Sequence, residues 1–281
     1  ARAGLTALVL VPASGVSEAK LAQTLDYGAT ALAIEGDFDR ALALARELPP
    51  REIALVNSLN PYRIEGQKCA AFALLEARGW EPPDWIVLPG GNLGNASAFG
   101  KGFREARALG FCTRIPRIAV VQASGAAPFV HVFRDGGELV PVVARTAASA
   151  IRIGAPASWK RALAELRESD GTALAVDDDE IAEARAAIGR DGVGCEPASA
   201  AALAGLRRLR AGGEIGRDED VVVVLTGHLL KDPAYAAQFH ASAARGANPI
   251  VHASGLHDAR ERIARLLERA QAGRPTLEPA P

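Results

Sequence analysis

Methionine is absent from all 281 residues, and several other things are scarce. Cysteine occurs three times, at Cys69, Cys112 and Cys195. The three are far apart, odd in number and form no C-x-x-C pair, which argues against a disulfide framework or a thiolate zinc site. The histidines have no partners at ligand spacing, so no metal is expected. Neither charge is in surplus, with 32 Lys+Arg against 33 Asp+Glu. Without a basic footprint, nucleic acid is not an expected partner. No apolar run approaches the ~20 residues a membrane helix needs, so no membrane partner is expected either. Reduced thiols suit a cytoplasmic protein.

Half of the sequence (49%) is hydrophobic, enough for one large or two modest domains with a real core. Short apolar runs recur at Ala7–Val11, Ala31–Ile34, Ile53–Val56, Trp85–Leu88, Ile118–Gln122, Ala173–Val176 and Val221–Leu225. They are continuous rather than alternating, as in parallel strands buried on both faces. Helical patterns lie between most of them, at 17–27, 38–47, 65–78, 96–109, 158–167, 180–188 and 197–209. Alternating β and α predicts an α/β fold of open, twisted parallel sheets flanked by helices. The stretch 124–157 breaks this rhythm and reads as a long irregular connection. Residues 256–271, "LHDARERIARLLERAQ", form an amphipathic helix that either covers the domain or pairs with a second subunit in a homodimer. The opening "ARAGLTALVLVP" reads as the last turn of a helix, a stop at Gly4, then a strand. With no methionine in front of it, the expectation is that an N-terminal segment is missing.

The densest signal is "VLPGGNLGNASAFGKG", residues 87–102, with five glycines and two asparagines between a strand and a helix. Backbone N–H groups at such a helix start face an anion. Glycines allow close approach, and Asn92 and Asn95 add amide donors or tolerate left-handed angles. The plain alternative is an ordinary βα turn. A dinucleotide fingerprint needs G-x-G-x-x-G, whereas residues 91–94 give only G-x-x-G. A Walker loop fails as well, because Gly94 lies one residue too far upstream of Gly100-Lys101 and Gly102 stands where Ser or Thr belongs. What remains is a loop sized for a single phosphate group, which suits pyridoxal phosphate.

"GGNLGNASA" in this setting resembles the phosphate loop of the threonine synthases, fold-type II pyridoxal-phosphate enzymes of the tryptophan synthase β-like kind. Further segments are similar to the same family, in one order from residue 5 to about 235. They are "SEAKLAQTLDYGATALAIEGDFDRAL" (with Asp37 for the usual Asn), "VNSLNPYRIEGQKCAAF", "VQASGAAP", "TAASAIRIGAPASW" (with Ala155 for the usual Asn), "CEPASAAALAGL" and "VVVVLTGHLLKDP". The resemblance implies conversion of O-phospho-L-homoserine and water to L-threonine and phosphate. It implies residues 1–58 as the remainder of a small domain and 59–281 as the large cofactor domain. The family's Schiff-base lysine lies in an S-F-K-D-R-G motif, and that motif is not in this sequence. Lys20, Lys68, Lys101, Lys160 and Lys231 occur in other contexts.

The resemblance also implies site residues. Gly91, Asn92, Leu93, Gly94 and Asn95 would hold the cofactor phosphate. Thr226, closing the strand "VVVVLT", would hydrogen-bond the pyridine nitrogen; the plain alternative is a Thr closing a strand before a turn. Ser58 and Arg63 would bind the substrate phosphate, with Asn92 touching it as well; the alternative for Arg63 is an ordinary surface arginine. An arginine suits this role because its planar fork pairs two phosphate oxygens. Glu196 reads as a helix-start residue, and Asp177–Glu180 as a solvated helix start. His228 and Lys231-Asp232 follow Thr226, and lining the cleft is one reading of them, without a definite role. Two rivals stand beside this reading: a threonine or serine dehydratase, which has no use for Ser58 and Arg63 as a phosphate pair, and a non-catalytic pyridoxal-phosphate binder.

Overall fold

The computed structural model describes residues 1, 3–13, 18–36, 38–49, 51–57, 60–241 and 252–272. Asp37 and Ser58 lie outside them. Strands β1 (Leu8–Pro12) and β2 (Thr30–Ile34) pair in parallel, Leu8 opposite Thr30, with helix α1 (Glu18–Asp26) as the crossover. Helix α2 (Phe38–Glu47) follows and turns Ala41, Leu42 and Ala45 inward.

The strand expected at Ile53–Val56 does not form. The two-stranded sheet gives it no ladder. Its backbone is instead engaged locally: Glu52 and Ile53 N–H groups donate to Pro49 O, and Asn60 Nδ2 donates to Leu55 O at 3.0 Å. Apolar content without a neighbouring strand left Val56 84% exposed. Asn60 then caps α3 (Pro61–Gln67), its Oδ1 accepting from Tyr62 N–H at 2.9 Å, with Pro61 at the first helical position where its missing N–H costs nothing. The single helix expected over 65–78 is two, α3 and α4 (Cys69–Ala77), broken at Lys68. Gly66, a poor helix former, lies just before the break. The Lys68 ammonium bridges Glu65 (2.7 Å) and Glu105 (2.6 Å), while Lys101 also pairs with Glu65.

The main sheet has β3 (Trp85–Pro89), β4 (Arg117–Ala123), β5 (Thr172–Val176) and β6 (Val221–Val223), all parallel, in the order β5-β4-β3-β6. Between them run α5 (Gly94–Ala108), α6 (Pro128–Asp135), α7 (Trp159–Glu168), α8 (Asp178–Arg190) and α9 (Pro197–Ala211). The side-chain alternation of a strand explains its two cores. Trp85, Val87, Ala119 and Val121 join α8 and α9 on one face. Ile86, Leu88, Ile118 and Val120 join α4, α5 and α7 on the other. Each fully buried Val, Ile or Leu side chain among them contributes about 1.5–3 kcal/mol.

The irregular stretch 124–157 also contains α6, which the sequence reading missed. Gln122, fully buried, makes that turn: its Oε1 accepts from Phe129 N–H (2.9 Å) and Val130 N–H (3.2 Å), and its Nε2 donates to Gly90 O (3.3 Å). The acidic run opens α8 as a capping box, Asp177 Oδ1 accepting from Glu180 N–H and Glu180 Oε2 from Asp177 N–H, both at 2.8 Å. Burial pushes the Cys112 and Cys195 thiols up, as expected of inert packed cysteines. Residues 1–233 form one compact unit and 234–281 a second. The second holds most of α10 (Pro233–Ala241), which the sequence reading missed, and α11 (Leu256–Ala272). No helix among the described residues is long and apolar enough to cross a membrane.

Candidate functional site

A cavity of about 310 Å3 opens within the first unit, against the carboxyl ends of β3 and β6. Ligands of open parallel sheets sit at such strand ends. Gly91, Asn92, Leu93, Gly94 and Asn95 line it, together with Thr226 and Arg63. These are all the site residues read from the sequence except Ser58, which lies outside the described residues. His228 and Lys231 do not line it; His228 turns its Nδ1 to Leu230 N–H, 3.2 Å.

The glycine loop runs from the end of β3 into the first turn of α5, whose leading N–H groups have no carbonyl partner within the helix. The left-handed position of the loop is Leu93 (φ 64°, ψ 11°), and neither Asn92 nor Asn95 takes a positive φ. A left-handed leucine costs roughly 1–2 kcal/mol. Burial offsets this, since Leu93 is 2% exposed inside the α5 core. Ser97 Oγ also ties Leu93 O at 2.9 Å. The Asn92 side chain is anchored: its Oδ1 accepts from Ala157 N–H (3.0 Å), and its backbone O from Ser158 N–H (3.1 Å). A Cβ on Gly94 would meet protein no nearer than Gln67 Oε1 at 3.6 Å and Ile64 Cδ1 at 3.9 Å. All three residues line the cavity, so a side chain at Gly94 would take up its space.

Thr226 is set by α9. Backbone pairing continues past β6, Val224 N–H donating to Val87 O, and the chain then bends onto the α9 start. There Glu196 N–H donates to Gly227 O at 2.9 Å, and Cys195 and His228 form an antiparallel bridge. Glu196 is 6% exposed, and a Cβ on Gly227 would fall 2.2 Å from its carboxylate, so only glycine fits. Glu196 is thus a packing partner of the Thr226 segment.

Two residues escaped the sequence reading. Gln67 lines the cavity, and its Oε1 is buried with no hydrogen-bond partner. Its only sequence signal is its place four residues after Arg63, on the same helix face. Ser199, fully buried, holds the Thr226 segment through its hydroxyl, and no local pattern marks it.

The family description for pyridoxal-phosphate-dependent enzymes matches residues 1–227. The chain belongs to that family. Relatives at 48% identity (Methanosarcina acetivorans, 83% of this chain and 58% of the relative) and 46% identity (Synechocystis sp., 84% and 60%) are named threonine synthase. The chain therefore spans about three fifths of the length of the curated relatives it matches. Among solved structures it is similar to a fungal L-serine ammonia-lyase from Rhizomucor miehei (TM-score 0.71, 21% identity, covering 85% of this chain and 75% of that one). It is also similar to threonine synthase from Escherichia coli (TM-score 0.68, 23% identity, 92% and 59%). These likenesses show the α/β fold of parallel sheets that the sequence predicts.

As a member of the family the chain is a pyridoxal-phosphate protein, and its cavity fits that group. The volume lies in the range of about 300–1,000 Å3 usual for small-molecule sites. A backbone cradle that a Cβ would fill lies at one side, and the orphaned Gln67 amide beside it. Among the described residues, none that lines the cavity is a lysine. Lys68 and Lys101 are held in carboxylate pairs, and Lys160 pairs with Glu138 at 3.1 Å.

Proposed function

We propose that this chain carries the phosphate-binding part of a threonine synthase, an enzyme forming L-threonine and phosphate from O-phospho-L-homoserine and water. One observation supports the reading: the same cavity is lined by two separate features suited to anions, the glycine loop at the α5 start and the Arg63 side chain on α3. Bound pyridoxal phosphate supplies the electron sink that lets an amino acid lose protons at Cα and Cβ. The chain's own residues bind and orient. Backbone N–H groups of Gly91–Asn95 hold the cofactor phosphate, and Thr226 meets the ring nitrogen. Arg63, with Ser58 and Asn92, grips the substrate phosphate and so fixes which end of the substrate leaves. The reading divides the chain at about residue 58 into a smaller part and the cofactor domain. It carries with it a cytoplasmic location and a homodimer.

A second reading rests on the absence of a lysine among the described residues that line the cavity: a binder of pyridoxal phosphate without turnover. The experiment joins this chain to the lysine-bearing amino-terminal segment of a threonine synthase relative. Phosphate release from O-phospho-L-homoserine is then measured beside deamination of L-threonine. Phosphate release is the expected result. Deamination alone supports a dehydratase, and neither activity supports the binder.

A further inference from the structure

We infer that Ser199 is a positioning residue that makes the Thr226 hydroxyl a hydrogen-bond donor into the cavity. This rests on the reading that Thr226 meets the cofactor ring nitrogen. A serine hydroxyl has one proton and two lone pairs. Thr226 N–H and Gly227 N–H both donate to Ser199 Oγ, each at 2.9 Å, and fill both lone pairs. The Ser199 proton then has two possible acceptors, Thr226 Oγ1 at 2.9 Å and Gly227 O at 3.5 Å. Gly227 O already accepts Glu196 N–H at 2.9 Å, and 3.5 Å lies beyond a good hydroxyl hydrogen bond. The proton goes to Thr226 Oγ1.

Thr226 Oγ1 is therefore an acceptor toward Ser199, and its own proton points elsewhere. Ser199 is fully buried, so water does not replace it, and its N–H is fixed to Glu196 O at 3.1 Å. Thr226 is exposed and lines the cavity. Its hydroxyl, which does not donate to Ser199, thus keeps its proton free to donate into the cavity. Such a donor pairs with an unprotonated ring nitrogen.

The test uses the 281-residue chain and pyridoxine 5′-phosphate, whose binding needs no lysine because it lacks the aldehyde. Its ring-N-methyl derivative, which cannot accept a hydrogen bond, is the comparison ligand. Fluorescence titration gives the affinity ratio of the two. Thr226→Val removes the hydroxyl at nearly constant shape and should lower that ratio roughly tenfold, about one hydrogen bond. Ser199→Ala should lower it as much, and the double variant no further. A merely structural role for Ser199 would weaken both ligands alike and leave the ratio unchanged, which would overturn the inference. Ring-15N-labelled pyridoxine phosphate gives a second measurement that needs no variant. In the wild-type chain at pH 7 it should resonate as a hydrogen-bonded, unprotonated pyridine. A protonated nitrogen there would overturn the inference even if Ser199→Ala did not fold. Absence of any binding would overturn the cofactor reading of Thr226 and the inference with it; binding without discrimination overturns the inference alone.

Discussion

The cavity has two unlike walls. One is made of the glycine loop, Thr226 and the start of α9, rooted in the buried strand β3, the half-buried β6 and the buried first turns of α9. It presents backbone, and each bend in it is tied down: Leu93 by Ser97, Asn92 by Ala157, Thr226 by Ser199. The other wall is α3, a seven-residue helix reached through an irregular connection, and it presents side chains, the exposed Arg63 and the orphaned amide of Gln67. The contrast matches two tasks. A group that stays bound is best held by rigid backbone that needs no reordering. A group that arrives and leaves is read by charged side chains with fewer restraints.

The largest expected effect is on the backbone wall. Gly94→Val puts an isopropyl group where a Cβ already reaches contact distance of Gln67 and Ile64. Affinity for pyridoxine phosphate, followed by fluorescence, should drop a hundredfold or more, roughly 2.7 kcal/mol. The backbone at Gly94 is not left-handed, so the loss comes from occupied space rather than strain. Unchanged affinity would reduce the loop to an ordinary turn.

On the side-chain wall the effect should be smaller and selective. Charge-assisted hydrogen bonds contribute roughly 1.5–3 kcal/mol each. Arg63→Ala should therefore weaken binding of O-phospho-L-homoserine by about ten- to a hundredfold, measured by calorimetry on the cofactor-loaded chain. L-homoserine should bind as before, and so should pyridoxine phosphate. Arg63→Lys should recover only part, since an ammonium cannot make the paired contact. Equal losses for both amino acids would take Arg63 off the substrate phosphate and favour the dehydratase reading.

The smallest effect concerns the clasp joining the walls, Glu65 on α3 with Lys68 and Lys101. Hydrogen bonds from Lys101 and then Lys68 hold the Glu65 carboxyl down from 4.5 to about 2. Its folded value is lowered, so its contribution to stability is complete above about pH 4.5 and disappears as pH falls toward 2. Glu65→Gln should lower the thermal midpoint slightly at pH 7, the pair being solvent-screened. That gap should close between pH 4.5 and 2. A gap that stays constant through this window would mean the charge does not matter.

Much of the backbone wall was legible in the sequence. The central strands β3 and β4 are buried on both faces and β5 and β6 are half-buried, so all four read as continuous apolar runs, and the loop's glycines mark themselves. Ile53–Val56 misled because composition reports apolarity and not whether a partner strand lies alongside. Leu93 was invisible as a left-handed residue because its strain is relieved by packing of distant residues, not by its own chemistry. Pro128 and its neighbours gave a helix only through Gln122, contributed by another element. Gln67 and Ser199 could not be found by any spacing rule. An orphaned oxygen and the direction of a proton exist only once the chain is folded.

A two-stranded parallel sheet is all edge. Among the described residues β1 and β2 pair only with each other, so each turns outward a row of backbone N–H and C=O groups that another strand can match. Leu8 and Leu32 stand about half exposed on the same pair. Such a surface templates pairing between molecules. A near-zero net charge of −1 does little to oppose such pairing.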